Sequence, residues 1–309
     1  MRRLLAATIA ATLATVLALA GCSPSTPEVT ESGGVGGIND LVVSASDTRA
    51  PAISWPAQKT FPKAESTIVW SGDGAMLIDG QPLLLDVYIQ SLETGEVLKN
   101  TYDGLPIAKL LAPELLGQDL YDSLRTQRVG ARVLSIAPPS EGFAEETSIA
   151  IVIDVLSSRA TGTSVDNRDD LPIVINSSTG EPDIALRDAA SKPLPTDLTV
   201  STLIRGDGEQ VEDGSYIVAQ YKAIYTEGGS DETTTWVPGD VFASTWDTAH
   251  EPYYVQIGAA ETLRALDEGL IDQTAGSQVL IVAPEMWGYP GKGTMIFVID
   301  ILDVWTPDS

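Results

Sequence analysis

Two stretches of this chain read as one segment written twice. Val133–Phe143 is VLSIAPPSEGF, and Val279–Tyr289 is VLIVAPEMWGY. Three further pairs follow in the same order. GDGAMLIDG (Gly72–Gly80) matches GDGEQVEDG (Gly206–Gly214), GEVLKNTYD (Gly95–Asp103) matches GDVFASTWD (Gly239–Asp247), and SIAIVIDVL (Ser148–Leu156) matches TMIFVIDIL (Thr294–Leu302). The separation is 134 residues from Gly72 to Gly206, 144 from Gly95 to Gly239 and 146 from Val133 to Val279. A period this long is that of a whole domain, not of a solenoid repeat. A chain of 309 residues has room for two such domains.

Each copy follows one plan. A lead-in (APAISW or EPDIAL) precedes STIVWSGDG or STLIRGDG, where Gly-Asp-Gly and Asp-Gly mark turns. QPLLLDVYIQSL and SYIVAQYKAIYT then read as strands. One helical stretch follows. Leu116, Leu120 and Leu124 share a face in the first copy, with Pro113 suited to the first turn, as do Leu263, Leu266 and Leu270 in the second. ARVLSIA, SQVLIVA and the apolar IAIVIDVL and MIFVIDIL complete a set of strands. The expected class is α+β, antiparallel strands with one short α-helix packed on them in each copy. The expected boundaries are 41–158 for the first copy, a polar linker over 159–183, and 184–305 for the second.

Composition narrows the chemistry. The chain carries 43 acidic against 18 basic residues, a net charge of -25, which repels phosphate backbones and argues against a nucleic-acid partner. One Cys and one His leave no disulfide framework and no Cys/His metal site, so neither a metal nor another cofactor is expected. The lone His250 lies in the polar TAHEPYY and reads as a solvated loop residue.

The first 21 residues read as a signal peptide. Arg2 and Arg3 precede an apolar run from Leu4 to Ala20. Leu19-Ala20-Gly21-Cys22 resembles a bacterial lipoprotein lipobox, which implies cleavage before Cys22, lipid attachment to its sulfur, and a membrane-anchored protein facing outside the cytoplasm. Residues 22–40, rich in Ser, Pro, Thr and Gly, read as a flexible tether.

The second copy carries, in order, GDG, VAQYKA, DVFAS, EPYYVQIG, LDEGL, VLIVAPEMWGY and GTMIFVIDIL. As an ordered set over Gly206–Val304 it resembles the FKBP-type peptidyl-prolyl isomerases. The resemblance implies two tandem FKBP-like domains, each a twisted antiparallel half-barrel wrapped around one short helix. It implies an aromatic pocket in the second copy, with Tyr221, Phe242, Tyr289 and Phe297 as catalytic positions. Tyr253, Thr262, Leu263, Leu266 and Trp287 are the implied substrate-binding positions, and the partners are proline-containing unfolded or exported polypeptides. Two positions depart from the family pattern. Ala243 stands where the family has Asp, and Leu266 where it has Trp. Read without the family, five aromatics in one copy are more often core than site. Trp287, Gly288 and Tyr289 in a loop point more to a surface or pocket.

The first copy keeps the pattern and loses most of the rings and the loop hydroxyl. Val87 stands at the position of Tyr221, Leu98 at Phe242, Phe143 at Tyr289 and Ile151 at Phe297. It is expected to be a degenerate, inactive domain. Two other readings stay open for the whole chain, a module that holds unfolded peptide without turnover and a structural envelope protein.

Overall fold

The computed structural model describes residues 34–46, 50–139, 147–188, 193–246 and 251–307. Cys22 and the signal segment, Phe143 and His250 lie outside the described residues. Gly33–Ser309 forms one compact unit built on two antiparallel sheets.

The first sheet comprises β1 (Glu65–Trp70), β2 (Pro82–Ser91), β3 (Val97–Asn100), β4 (Ile107–Leu110), β5 (Arg132–Ala137) and β6 (Ile149–Leu156). Its order is β1-β5-β6-β2-β3, with β4 also paired to β2. Two helices, α1 (Pro113–Leu116) and α2 (Gln118–Leu124), lie between β4 and β5. The second sheet comprises β7 (Thr163–Ser164), β8 (Thr199–Arg205), β9 (Tyr216–Tyr225), β10 (Val241–Ser244), β11 (Tyr253–Gln256), β12 (Gln278–Ala283) and β13 (Met295–Trp305), with α3 (Arg264–Gly269) between β11 and β12. Its order is β7-β8-β12-β13-β9-β10, with β11 also on β9. Apart from the short edge strand β7, the two sheets have one strand order.

The α+β expectation is corrected by this architecture, which is mostly β. The helices are four, seven and six residues long. In the first copy Gly117, at φ 77°, breaks the expected helix in two, because an l-residue side chain disfavours that backbone conformation and glycine does not. In the second, Leu263 is still extended, so the helix starts only at Arg264. Strands also occur where none was expected. Val42–Val43 pairs with Ile53–Ser54, Ile173–Asn176 with Pro182–Ala185, and Gly229–Ser230 with Thr235–Trp236.

Residues 159–183, expected as a linker, are built into the second copy. Thr163–Ser164 extends its sheet, and Leu171 is fully buried against Leu203, Leu280 and Val298. The end of the expected tether is likewise folded. Gly36 donates to the Thr60 carbonyl at 2.8 Å, and Ile38 to the Glu65 carboxylate at 2.6 Å.

Both faces of each sheet are therefore covered, which explains why β6 and β12 carry one polar residue each instead of alternating. The helix side of the first sheet buries Leu83, Leu85, Val133 and Ile153, and its outer side buries Leu134, Val152, Leu41 and Phe61. Within the outer layer each copy sets one polar pair at the same register. Arg132 faces Asp154 in the first, and Gln278 faces Asp300 in the second. Arg132 is fully buried; it holds Asp154 with two nitrogens, donates to the carbonyls of Ser44 and Ser46, and lies 4.2 Å from the Trp70 ring centre. Gln278 donates to Asp300 at 2.8 Å and exchanges hydrogen bonds with the side-chain amide of Asn176 in the covering hairpin. Burial pushes the Asp300 carboxyl up to about 6, with the Ala160 amide, Gln278 and the charge of Arg159 opposing the rise.

The copies meet on equivalent positions. Leu84, Ala108 and Val218 form a buried cluster, with Leu105, Leu156 and Leu302 packed on it. In the duplication Leu84 corresponds to Val218, Leu156 to Leu302 and Ala108 to Tyr254. Burial close to this contact pushes Asp303 up to about 7; Asp86 of the first copy and Glu209 add to the rise, and the Val304 amide opposes it. An unfolded Asp titrates near ~3.9. Below that pH both states are protonated. Between there and about 7 the unfolded chain ionises first, so stability falls as pH rises through this window and stays lost above it. Asp303→Asn is expected to leave the unfolding midpoint little changed at pH 4 and to stabilise at pH 8 by about 1–3 kcal/mol. Calorimetry at the two pH values checks this; an equal effect at both would contradict it.

Candidate functional site

The helix side of the second sheet holds a cluster of rings. Phe297, only 2% exposed, forms the floor in the middle of β13, with Met295 and Ile299 beside it along the strand. Tyr221, Phe242, Leu263, Leu266 and Trp287 pack against this core from above and are each half-buried. Tyr253 and Tyr289 stand at the rim, each 38% exposed.

Local structure explains the placement of each ring. Ala223 pairs with Ala243 and Ile224 with Val241, which leaves Phe242 as the extra residue of a β-bulge. A bulge re-aims a side chain out of the regular pleat, and Phe242 meets Tyr289 at 4.8 Å and Tyr225 edge-on at 5.5 Å. The Tyr221 amide donates to the Thr245 hydroxyl at 2.9 Å, anchoring that strand, and its ring meets Tyr253 edge-on at 5.9 Å. Leu263 caps α3 in extended conformation, its carbonyl accepting from Leu266 and Asp267. Thr262 is half-buried just ahead of that cap. Trp287 ends a 3₁₀ turn, Glu285–Trp287, and lies 3.9 Å beneath the Arg264 guanidinium, a cation–π contact that ties the loop to the helix.

The three phenols lie close enough to influence one another. Burial raises the pKa of Tyr221, with Tyr289 and Tyr253 adding to it, and burial with Tyr253 does the same for Tyr289. Tyr221 and Tyr289 therefore stay protonated at neutral pH and can donate. The cluster is an apolar, ring-lined surface with hydroxyl donors at its edge, suited to a largely apolar ligand that carries a carbonyl.

Apart from Thr262, the residues read from the sequence are thus gathered on one face. Others there were missed. Tyr225 stacks on Trp236 at 4.6 Å, Lys292 lies 4.0 Å over Trp236, and its ammonium pairs with Asp231 at 2.7 Å. These line an open cleft of about 450 Å³ that shares Phe242 with the ring cluster. The signal was the growth of the repeat separation from 134 to 144. The added residues fall between β9 and β10 and build the hairpin that carries Trp236.

In the first copy the same register holds smaller side chains. Leu98 is skipped between the Ile89–Lys99 and Gln90–Val97 pairs, as Phe242 is in the second copy. Val87 pairs with Ile153 as Tyr221 pairs with Ile299. Neither Val87 nor Ile151 supplies a ring.

No family model matches the chain. It is similar to FK506-binding protein 2B of Rhizopus delemar, 25% identical over 130 residues, 39% of this chain and 59% of that protein. The chain thus spans under two thirds of that relative's length. Among solved structures, the three FKBP domains of wheat FKBP73 align over 79% of this chain and 95% of theirs at 14% identity, with a TM-score of 0.30. FkpA from Escherichia coli aligns over 43% of this chain and 52% of its own at 23% identity, with a TM-score of 0.29.

Proposed function

We propose that the second copy is a peptidyl-prolyl cis–trans isomerase acting on unfolded, proline-containing chains. The observation that carries this reading is the open ring cluster itself, Tyr221, Phe242, Tyr253 and Tyr289 over a floor of Phe297 and Leu266. Rotation about an X-Pro bond takes tens to hundreds of seconds unaided and crosses a barrier of ~20 kcal/mol. No covalent bond breaks, so no nucleophile is required. The twisted amide has lost its resonance and is less polar than the planar one, and an apolar cup binds it relatively better. The Tyr289 hydroxyl holds the carbonyl while the amide turns.

The first copy, with Val87, Leu98 and Ile151 at the ring positions, serves as a partner without turnover. In this reading the protein is held to a membrane by lipid on Cys22 and assists the folding of exported chains, which emerge with X-Pro bonds still to be isomerised. Release of a Cys22→Ser chain from the membrane fraction supports the anchor. Ala243 and Leu266 favour a second reading, a module that holds proline-containing peptide without isomerising it. The deciding experiment is turnover of a short X-Pro peptide by the full chain. Catalysed cis-to-trans conversion supports the enzyme. Saturable binding with an uncatalysed rate sinks it in favour of the binding module.

A further inference from the structure

Strand β11 has two sides with different duties. Tyr253, its first residue, turns its ring to Tyr221 in the site. Tyr254, the next residue, points the other way, as neighbours on a strand do. Its hydroxyl accepts a hydrogen bond from the Ala108 amide at 2.6 Å and donates to the Pro106 carbonyl at 2.8 Å. Both partners belong to the first copy.

β11 needs such an anchor. It is four residues long and, among the described residues, pairs only with β9. Three features show the anchor to be built into the fold. First, the Tyr254 phenol both accepts and donates, to two backbone groups of one short segment. Second, Lys109 and Glu251 pair alongside at 3.7 Å. Third, the apolar contact beneath joins Leu84 and Val218 in one buried cluster, with Leu156 and Leu302 packed against it, and these are positions equivalent in the duplication. This is the self-complementary arrangement of an isologous interface, realised within one chain.

We infer that the first copy acts as a clamp on the site of the second, with Tyr254 as a positioning residue that fixes β11 and so the ring of Tyr253. The loss of its own rings costs the first copy nothing in this role, because the clamp uses its backbone at Pro106 and Ala108 and the apolar patch around Leu84. The inference rests on the isomerase reading only for its kinetic consequence.

The test is Tyr254→Phe in the full chain, which removes one oxygen and keeps the ring. Losing these hydrogen bonds is expected to speed amide exchange over Tyr253–Gln256 by about fivefold. It should also weaken the nuclear Overhauser contact between the rings of Tyr221 and Tyr253. With a short X-Pro peptide, KM is expected to rise about fivefold while kcat holds, since a lining ring is displaced and the Tyr289 hydroxyl is not. Unchanged exchange in β11, or faster exchange with the ring contact intact, overturns the clamp. So does an unchanged KM where the wild-type chain turns over. Absence of turnover by the wild-type chain counts against the isomerase alone, because exchange and the ring contact are measured without ligand.

Discussion

Arg132→Leu is expected to destabilise the first copy by about 3–5 kcal/mol, the cost of leaving a buried carboxylate without its partner. Arg132 has no exposed surface, and the Asp154 side chain has 12%. The substitution removes both bonds to Asp154, both bonds to the Ser44 and Ser46 carbonyls and the cation over Trp70. Among the described residues, Asp154 keeps only the Tyr102 hydroxyl, at 2.7 Å, as a side-chain donor. Arg132 also joins the 44–46 segment to the sheet, so the covering layer over Leu134 and Val152 loosens with it. Replacing both Arg132 and Asp154 by Leu is expected to recover much of the loss, because removing a buried pair together is often close to neutral. Denaturant unfolding of the single and double variants checks this; a single variant within about 1 kcal/mol of wild type would mean that the pair carries no such role. Gln278 occupies the same register in the second copy without a charge, and its replacement should cost less.

Phe242→Ala combined with Tyr289→Phe is expected to lower kcat/KM for a prolyl peptide by about a hundredfold, the scale of losing one anchoring ring and one hydrogen bond. The two changes should separate in kinetics. Phe242 offers a ring surface, in contact with Tyr225 and Tyr289, and its loss should raise KM. Tyr289→Phe keeps the ring and removes the donor, so it should lower kcat with KM nearly held, as for an interaction that strengthens while the amide rotates. Phe242 and Tyr289 both lie outside the fully buried core, so the fold should persist, as a retained unfolding midpoint would show. Full turnover in the folded double variant would remove the ring cluster from the chemistry.

The duplication, the main strand positions and the residues that cluster on the helix side of the second sheet were legible from the chain alone. β2 and β9 are ten residues each and begin at equivalent positions, Pro82 and Tyr216, because long β-rich apolar runs between Gly turns leave little alternative. The glycine that opens each Gly-Asp-Gly was visible as a turn signal; its physical reason lies elsewhere in the fold. A Cβ on Gly206 would stand 2.0 Å from the Ala275 carbonyl, and one on Gly72 2.2 Å from that of Val129. The class was misread because helix length depends on local breaks, Gly117 and the extended Leu263, and because the lead-ins and the linker pair into hairpins. Those pairings are worth forming only once a sheet lies beneath them.

What the sequence determined by itself was the set of local and repeated features: two copies, their strands, and which copy keeps its rings. These follow from periodicity and turn chemistry, which act between near neighbours. Only the tertiary structure decided that Phe242 occupies a bulge, that Arg132 is buried beneath a folded lead-in, and that Tyr254 reaches across to Pro106 and Ala108. The last two join residues far apart in the chain, Arg132 to Ser44 by 88 positions and Tyr254 to Ala108 and Pro106 by 146 and 148. A hydrogen bond or ring contact across such a span depends on where whole sheets come to rest, and no local pattern encodes it.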